Sequence, residues 1–342
     1  MQQIADKARV SRMAVSLALR GSPKVSAATT ARIRKIAEEL DYRPNPLISA
    51  LMTHLRQVRP TQQRLTTIAY ATAYPTADGW RKSGPFLQFF QGAHRRAEAL
   101  GYVLEEWWLR PPGMTEQRIC EILFNRDIHG LLVAPLPPGG ADLHLDWPKF
   151  SGATIGYSFG SVALHRASND QYGSMMLALR ELTRLGYRRI GLALTREQDG
   201  RVERHWSAGM LVHQSEIAPE QRVPPLLSEG NFAADLAEWF RAHRPDAVLS
   251  LTGECVPILA GLGVQVPKDA GFAHLALTPA DAGTAGVDQH SELVGAAALD
   301  LVDVQLRRNE RGLPPQRKTV LIAGEWAPGA TVRDVTHARR RK

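Results

Sequence analysis

The chain has 342 residues, 44% of them apolar and 22% charged, with a net charge of +8. This length is enough for two or three domains, and the composition is that of a soluble globular protein. No apolar run approaches the ~20 residues that span a bilayer, and no secretory signal opens the chain. The two cysteines, Cys120 and Cys255, form no motif, which is typical of thiols in a reducing cytoplasm.

Positive charge is concentrated at the two ends of the chain. Residues 1–60 hold 11 Lys and Arg against 4 Asp and Glu, and the tail 337–342 adds four basic residues, which leaves −3 for the residues between them. A basic head on a mildly acidic body is expected of a protein that binds a polyanion with one end. A solvated charged surface is the alternative interpretation, and a basic terminal run alone indicates only a disordered tail.

Residues 3–40 predict three short helices. The second, SRMAVSLALRG, has Ser11 as its N-cap and Gly21 after its end, and the third begins at Ser26. The tight turn ARV between the first two predicts a helix-turn-helix arrangement. Apolar residues on the inner faces should form a small core. They are Ala5, Val10, Val15, Leu19, Ile33, Ile36, Ala37 and Leu40.

The N-terminal end of the second helix carries side chains that suit the major groove. Arg12 can donate two hydrogen bonds to a guanine edge, and Met13 and Leu17 can contact a thymine methyl group. Basic side chains nearby can hold register through phosphates without reading sequence. These are Lys7, Arg9, Arg20, Lys24, Arg32 and Arg43. A three-helix bundle that packs on the body is the alternative, but such a bundle would not need this charge.

A further short helix is predicted in the stretch YRPNPLISALM, residues 42–52. Asn45 is a good N-cap, and proline is tolerated at the first helical position, where Pro46 stands. The helix that follows is almost wholly apolar, and so short a helix is marginal alone in water. Apolar side chains beside so much positive charge indicate a partner that would cover them.

These residues resemble the head and hinge of the LacI/GalR family of bacterial transcription regulators. The resemblance is carried by V-S-x-x-x-V-S, a loop, a second V-S, and L-x-Y-x-P-N before a short helix. It implies that Arg12, Met13 and Leu17 read bases, and that Leu51 is inserted between base pairs in the minor groove. It also implies a set of phosphate contacts, from Ser11, Ser16, Arg20, Lys24, Ser26, Tyr42, Arg43 and Asn45.

Two such hinge helices, one from each chain of a homodimer, would pack together on DNA and kink it. Unstacking a base step costs a few kcal/mol, and flexible pyrimidine–purine steps reduce that cost. A linker helix packed permanently on the body is the alternative.

Three departures from the family pattern stand out. The first helix begins almost at Met1, which predicts a start further upstream; Arg9 replaces a frequent glycine; and Met52 replaces a frequently basic residue.

From Thr66 onward, predicted buried strands alternate with amphipathic helices, which indicates parallel sheets with helices on both faces. The resemblance implies a periplasmic-binding-protein-like body of two doubly wound parallel-sheet lobes behind an N-terminal all-α helix-turn-helix head. The predicted organisation is a head at 1–44, a hinge helix and linker at 45–60, an N-terminal lobe at 61–160 plus 286–318, a C-terminal lobe at 161–285 plus 319–335, and a basic tail at 336–342.

The predicted effector site lies between the lobes, and the family's usual ligand residues are replaced in this chain. The family's clamp arginine corresponds to Trp206, and its late aspartate corresponds to about Ala276. Phe232 stands where the family stacks an aromatic ring on the ligand. Each residue fits a packing role equally well.

The loop YPTADGWRKSG could form a lid over this site through Tyr74 and Trp80. Arg201, Glu203 and His205 could supply polar contacts to the ligand, although ordinary loop chemistry explains them too. The sequence gives little support to an enzymatic function, because it contains no G-x-G-x-x-G after a strand, no P-loop, no H-E-x-x-H and no G-x-S-x-G. The eleven histidines show no metal-ligand spacing.

The sequence therefore predicts a cytoplasmic, homodimeric regulator, with repression as the family's usual output, that binds a palindromic double-stranded DNA operator. A small-molecule effector is expected between the lobes, with a carbohydrate-like molecule as one candidate, and no cofactor, metal or catalytic residue is predicted. The tail VTHARRRK has no leucine heptads, which favours a dimer over a tetramer. One alternative is a ligand-binding protein whose degenerate head no longer binds DNA. The other is an enzyme built on the two-lobed body.

Overall fold

The computed structural model describes residues 2–11, 14–15, 18, 25–40, 66–139 and 143–336. The helices are α1 (Gln2–Ala8), α2 (Ala27–Glu39), α3 (Gly84–Leu100), α4 (Glu116–Asn125), α5 (Gln171–Arg184), α6 (Arg196–Gly200), α7 (His205–Glu216), α8 (Phe232–His243), α9 (Cys255–Gly261) and α10 (Ser291–Arg308). The strands are β1 (Thr66–Thr72), β2 (Tyr102–Trp108), β3 (Gly130–Val133), β4 (Ser151–Ile155), β5 (His165–Asn169), β6 (Ile190–Thr195), β7 (Leu226–Ser228), β8 (Ala247–Ser250), β9 (Gly271–His274), β10 (Gly286–Asp288), β11 (Thr319–Ile322) and β12 (Glu325–Ala327). None of the described helices is long and apolar enough to cross a membrane.

The head is held by a small apolar core between α1, α2 and the few described residues that connect them. Its buried members are Ile4, Ala5, Ala8, Val15, Ala18, Ile33 and Ala37, with Val10, Val25, Ile36 and Leu40 at the edge. This agrees with the predicted core, except that Leu19 lies outside the described residues. Arg9, in the turn after α1, has a φ of 52°. A side chain in this left-handed conformation costs roughly 1 kcal/mol, so the strain expected from the missing glycine is present.

The N-terminal lobe is a six-stranded sheet in the order β11-β5-β4-β3-β1-β2, and its strand pairs are all parallel. Successive residues of β1 enter opposite cores: Ile68 and Tyr70 pack with α3 and α10, while Ala69 and Ala71 pack on the other face with α4. Burial on both faces explains why the strand TTIAYAT reads as an unbroken apolar run.

The C-terminal lobe repeats this architecture in the order β12-β10-β9-β8-β6-β7, with α5 and α7 on one face and α8 and α9 on the other. Only the β10–β12 pair of this sheet is antiparallel among the described strands. Two doubly wound, mostly parallel sheets form the predicted periplasmic-binding-protein-like body, so the predicted fold class is confirmed.

The chain crosses between the lobes three times, and each crossing lies later than predicted. The crossings fall after β5 at Asp170, after β10 at 289–290, and after β11 at 323–324. The predicted positions, near 160, 285 and 318, therefore assigned β5, β10 and β11 to the wrong lobes. The sequence HRASN of β5 is polar and yet wholly buried. An apolar pattern could not reveal such a strand.

Hydrogen bonds join the crossings to one another. Asn169 donates its side-chain amide to the Gln289 carbonyl at 3.0 Å, and the Asp170 amide donates to the Ile322 carbonyl at 2.9 Å. The Gln289 side chain in turn donates to the Leu275 carbonyl at 2.6 Å. The three segments that cross between the lobes are therefore hydrogen-bonded to one another.

Candidate functional site

Most of the predicted DNA-contact residues lie outside the described part of the chain. They are Arg12, Met13, Ser16, Leu17, Arg20, Lys24, Tyr42, Arg43, Asn45 and Leu51. Ser11 and Ser26 are described, and both act as helix caps. The Ser11 hydroxyl accepts from the Ala14 amide at 3.1 Å, and the Ser26 hydroxyl accepts from the Thr29 amide at 3.3 Å. Each cap satisfies a backbone donor that the helix start leaves unpaired.

Three of the candidate phosphate ligands can be located on the surface of the head. Lys7 lies on α1, Arg9 in the turn that follows, and Arg32 on α2, and all three are exposed. Exposed long basic side chains around a small apolar core are available to a polyanion, because packing of the head does not use them. The described part of the head thus carries these basic side chains on its surface, around a small apolar core.

A cavity of about 450 Å³ lies between the two lobes. It is lined by residues at the carboxyl ends of strands from both sheets, such as Pro135 after β3, Tyr157 after β4 and His274 at the end of β9. The carboxyl edge is where open parallel sheets leave room for ligands, because the chain departs there in opposite directions. The cavity therefore has the position and size of a small-molecule site.

Aromatic side chains from both lobes form the apolar walls of this cavity. Phe86 and Phe89 come from the start of α3, Tyr157 follows β4, and Trp206 lies in the first turn of α7. Flat aromatic faces can stack on a ring, and they contribute apolar area at low conformational cost.

Two buried polar groups on the cavity wall have no hydrogen-bond partner. They are the indole Nε1–H of Trp206 and the side-chain carbonyl Oε1 of Gln171, whose residues are 2% and 5% exposed. A buried polar group without a partner costs about 1 to 3 kcal/mol. The two residues line the cavity, but neither of these polar atoms has accessible surface of its own.

The charged groups of the cavity are already compensated by protein. Asp281 accepts from the Thr278 amide at 2.9 Å and from its hydroxyl at 2.7 Å. Arg201 donates to the Leu136 carbonyl at 2.8 Å and lies 3.6 Å from the Glu197 carboxylate. Neither group needs an opposite charge from a ligand.

His274 adds a neutral donor to the cavity wall. Burial lowers the pKa of its imidazole below the ordinary value of 6.5. Its Nδ1 accepts from the Ala276 amide at 3.1 Å, which assigns the proton to Nε2. The Nε2 atom lies 4.0 Å from the Asp281 carboxylate, beyond hydrogen-bond distance. The neutral imidazole is thus a donor through Nε2–H, and the Leu251 backbone is a hydrogen-bond partner of the ring.

The structure brings together some of the predicted effector residues. Arg201 and Trp206 line the cavity, and so does Ala276. Tyr74 lies beside them, since its hydroxyl donates at 3.4 Å to the Leu136 carbonyl that Arg201 also uses. Burial raises the pKa of the Tyr74 phenol, so it stays a neutral donor.

Four other predicted effector residues, Trp80, Glu203, His205 and Phe232, do not line the cavity. Trp80 is 1% exposed and packs in the N-terminal core, 5.4 Å from the rings of Tyr70 and Phe90. Phe232 begins α8 and packs at the edge of the C-terminal core. Trp80 therefore supports the loop YPTADGWRKSG from within the lobe.

Sequence reasoning missed Phe86, Gln171, His274 and Tyr157 as cavity residues. Gln171 follows the first lobe crossing, Tyr157 is the second residue after β4, and His274 ends β9. The rule that ligands bind at the carboxyl ends of parallel strands could have found three of them once strand ends were known. Phe86 gave no such indication, because it lies on a helix.

No catalytic or metal-binding constellation emerges from the described residues. Within the cavity lining, no hydrogen bond joins a serine or threonine hydroxyl to a histidine. The part of the chain that the structure describes contains no group of three or more His, Cys, Asp or Glu side chains that could hold a metal ion. Cys120 and Cys255 are buried, and burial raises the pKa of both thiols.

The chain thus combines a helical head with two doubly wound lobes and a cavity between them. Residues 1–45 match the family model of bacterial regulatory proteins, lacI family. The resemblance noted in the sequence is therefore confirmed: the chain carries a lacI-family head and has the fold of LacI-family regulators. A comparison with curated proteins by sequence finds no match.

Solved structures of similar fold include whole regulators and isolated bodies. The transcriptional regulator CelR in complex with cellobiose is 17% identical, with a TM-score of 0.54 over 96% of this chain and 98% of that one. The lac repressor dimer bound to operator and the anti-inducer ONPF is 16% identical, with a TM-score of 0.56 and the same coverage. A LacI-family regulatory protein from Chloroflexus aggregans is 17% identical, with a TM-score of 0.59 over 78% and 98% of the two chains.

Proposed function

We propose that this protein is a sequence-specific transcriptional repressor that binds a palindromic operator as a homodimer in the cytoplasm. An uncharged small molecule between the lobes modulates its affinity for DNA. One observation carries the proposal: a lacI-family head, whose described residues pack around a small apolar core, precedes a two-lobed body with a cavity at its carboxyl edge.

The predicted DNA contacts follow from the chemistry of the head. Arg12, Met13 and Leu17 are the base-reading residues, and Leu51 is the minor-groove wedge. Serine, basic and hinge residues hold the phosphates, as proposed from the sequence. The phosphate contacts make the affinity strongly dependent on salt, whereas the base contacts give preference for one site. The solved lac repressor dimer bound to operator supports this arrangement for a similar fold.

The charge state of the cavity supports an uncharged effector. Arg201 and Asp281 are each satisfied by protein atoms, so a charged ligand would enter a partly dry site without a free counter-charge. A neutral ligand with hydroxyl or amide groups can enter this cavity without bringing a charge that the site leaves uncompensated. The similar fold solved with cellobiose supports a carbohydrate-like molecule as one such ligand.

The function is tested by selecting bound sites from random duplex DNA with the purified full-length chain. We expect one palindromic sequence to be enriched, with an affinity at least ~1,000-fold tighter than for a scrambled duplex at the same salt concentration. Arg12→Ala should relax base preference at one position of each half-site by about 1 to 3 kcal/mol. Arg118→Ala, an exposed arginine in the body, is the matched control and should change nothing.

Two results would contradict this assignment. If the parent chain enriches no sequence and binds all duplexes with the same salt dependence, the head is degenerate and the protein is a ligand-binding protein. If Arg12→Ala weakens binding to all duplexes equally, Arg12 is a phosphate contact and the base-reading role is wrong.

The effector class is tested by thermal shift with cellobiose and neutral monosaccharides against glucose 6-phosphate. We expect a neutral compound to raise the melting temperature, because ligand binding stabilises the native state in proportion to RT ln(1 + [L]/Kd). Trp206→Phe and Gln171→Leu should abolish that shift. Trp239→Phe is the control, since its indole donates to the Pro224 carbonyl at 2.7 Å within the C-terminal lobe. A shift with the phosphorylated sugar alone would contradict the uncharged class.

A further inference from the structure

Three residues within the segment 201–205 of the C-terminal lobe contact the N-terminal lobe. We name this segment, RVERH, the latch loop. Its residues Arg201, Glu203 and His205 each meet a different group of the other lobe. The three contacts are a hydrogen bond, an ion pair and an aromatic ring contact, so the loop joins the lobes through specific side-chain interactions.

Arg201 makes the first contact. Its guanidinium donates to the Leu136 carbonyl, just after β3, at 2.8 Å. The same group lies over the Phe86 ring, 5.6 Å from its centroid. A charged donor on a backbone carbonyl is among the stronger hydrogen bonds in proteins, and the aromatic face adds a cation–π attraction.

Glu203 makes the second contact, with an arginine of the other lobe that is almost wholly buried. The Arg166 side chain on β5 is 1% exposed, and its Nη1 lies 3.6 Å from the Glu203 carboxylate. Burial and nearby Arg317 lower the pKa of the Arg166 guanidinium, and its Nε has no hydrogen-bond partner. Arg166 also donates from Nη2 to the Phe159 carbonyl of its own lobe at 3.4 Å, and this bond does not depend on lobe contact. Separating the lobes would remove its carboxylate partner, which is costly for a guanidinium so deeply buried.

His205 makes the third contact, through its ring. The imidazole meets the Tyr157 ring edge-on, at 4.9 Å between centroids and an interplanar angle of 86°. Tyr157 also stacks under Arg166, whose guanidinium carbon lies 4.5 Å from the ring centroid. The second and third contacts therefore share one cluster and should break together.

The ends of the latch loop are fixed within the C-terminal lobe. Asp199, 2% exposed, accepts from the Ser207 amide at 3.0 Å and from the Ser207 hydroxyl at 2.6 Å. Glu203 and Arg204 both have positive φ, 53° and 62°, which ordinary side chains adopt only where surroundings hold them. The loop thus presents its side chains on a short, preformed turn, at little further entropic cost.

We propose that the latch loop holds the two lobes together before any ligand binds. The closed conformation is then the major state of the ligand-free protein. A ligand binds to lobes that are already closed. A ligand shifts such an equilibrium only by its different affinities for the two states. This inference concerns lobe closure in the absence of DNA and effector, so it does not rest on the proposed function.

Spin-label distances across the cleft test this proposal on the full-length chain. Labels are attached at Arg110→Cys, an exposed position after β2, and at Gly230→Cys, after β7. An added Cβ at Gly230 meets open space. Both native cysteines are buried, so labelling is confined to the introduced ones. We expect one short distance in the parent. In the double variant Arg201→Gln plus Glu203→Gln, we expect the distribution to shift to longer distances.

The control is Arg126→Gln, which removes an exposed arginine–glutamate pair, 3.1 Å apart, within the N-terminal lobe. It should leave the distance unchanged. Glu203→Gln alone alters a half-exposed carboxylate, so it should fold even if the double variant does not, and it should give a partial shift. The proposal fails if both latch variants keep the parent distance, or if the control shifts as far as they do.

Discussion

Gly295→Ala is expected to lower the free energy of unfolding of the body by about 2 to 3 kcal/mol, through overpacking between two helices. In an open helix, the same change would stabilise by roughly 0.5 to 1 kcal/mol, because alanine is the better helix former. The sign is reversed here because Gly295 lies where α10 meets α3. An added Cβ would clash with the carbonyl oxygen of Phe89 and lie 2.8 Å from its carbonyl carbon.

The obstacle at this site is backbone, so a change of side-chain rotamer cannot relieve it. Gly92 makes the reciprocal approach from α3 towards the Glu292 carbonyl of α10. The two helices must therefore move apart, which disturbs the core formed by Phe89, Val294 and Ala298. A tightly packed interior resists such a shift.

Chemical denaturation followed by circular dichroism measures this effect. Gly261→Ala is the matched control, because Gly261 ends the helix α9 and an added Cβ there meets nothing within 4 Å. We expect the control to be neutral or slightly stabilising. Equal stability of Gly295→Ala and the parent would mean that the helices separate more easily than their contact indicates.

Leu51→Ala should weaken binding to the selected operator by about 2 to 3 kcal/mol, roughly a hundredfold in Kd. A wedge side chain between base pairs contributes through the kink it creates, because the bent duplex contacts more protein. Alanine is too short to fill an opened base step. Affinity for scrambled DNA should change little, since that binding depends on phosphate contacts.

Fluorescence anisotropy at one fixed salt concentration measures both affinities, and sedimentation checks that the oligomeric state is unchanged. Leu313→Ala, which removes an exposed leucine of the body, is the control. Unchanged affinity of Leu51→Ala for the operator would exclude the wedge. It would favour the alternative in which the hinge helix packs permanently on the body.

The sequence by itself determined the order and type of most elements. Periodicity and caps predict helices at 115–125, 171–185 and 232–243, and α4, α5 and α8 match these bounds within a residue. Capping by Ser11 and Ser26 also followed from residue type, because a serine hydroxyl satisfies the helix start wherever the helix lies. These features depend on neighbours in the chain, which the sequence displays directly.

Lobe membership and the cavity wall were decided by tertiary structure. The strand β5 is buried despite its polar sequence, because Arg166 pairs with Glu203 of the other lobe and His165 accepts from the Lys318 amide just before β11. Phe86, Tyr157 and His274 meet in one cavity only because two sheets bring their carboxyl edges together. The contacts of Arg201, Glu203 and His205 likewise join residues that are far apart in the chain. Hydrophobic pattern records burial within an element, but it holds no information about which distant element supplies the partner for a buried polar group.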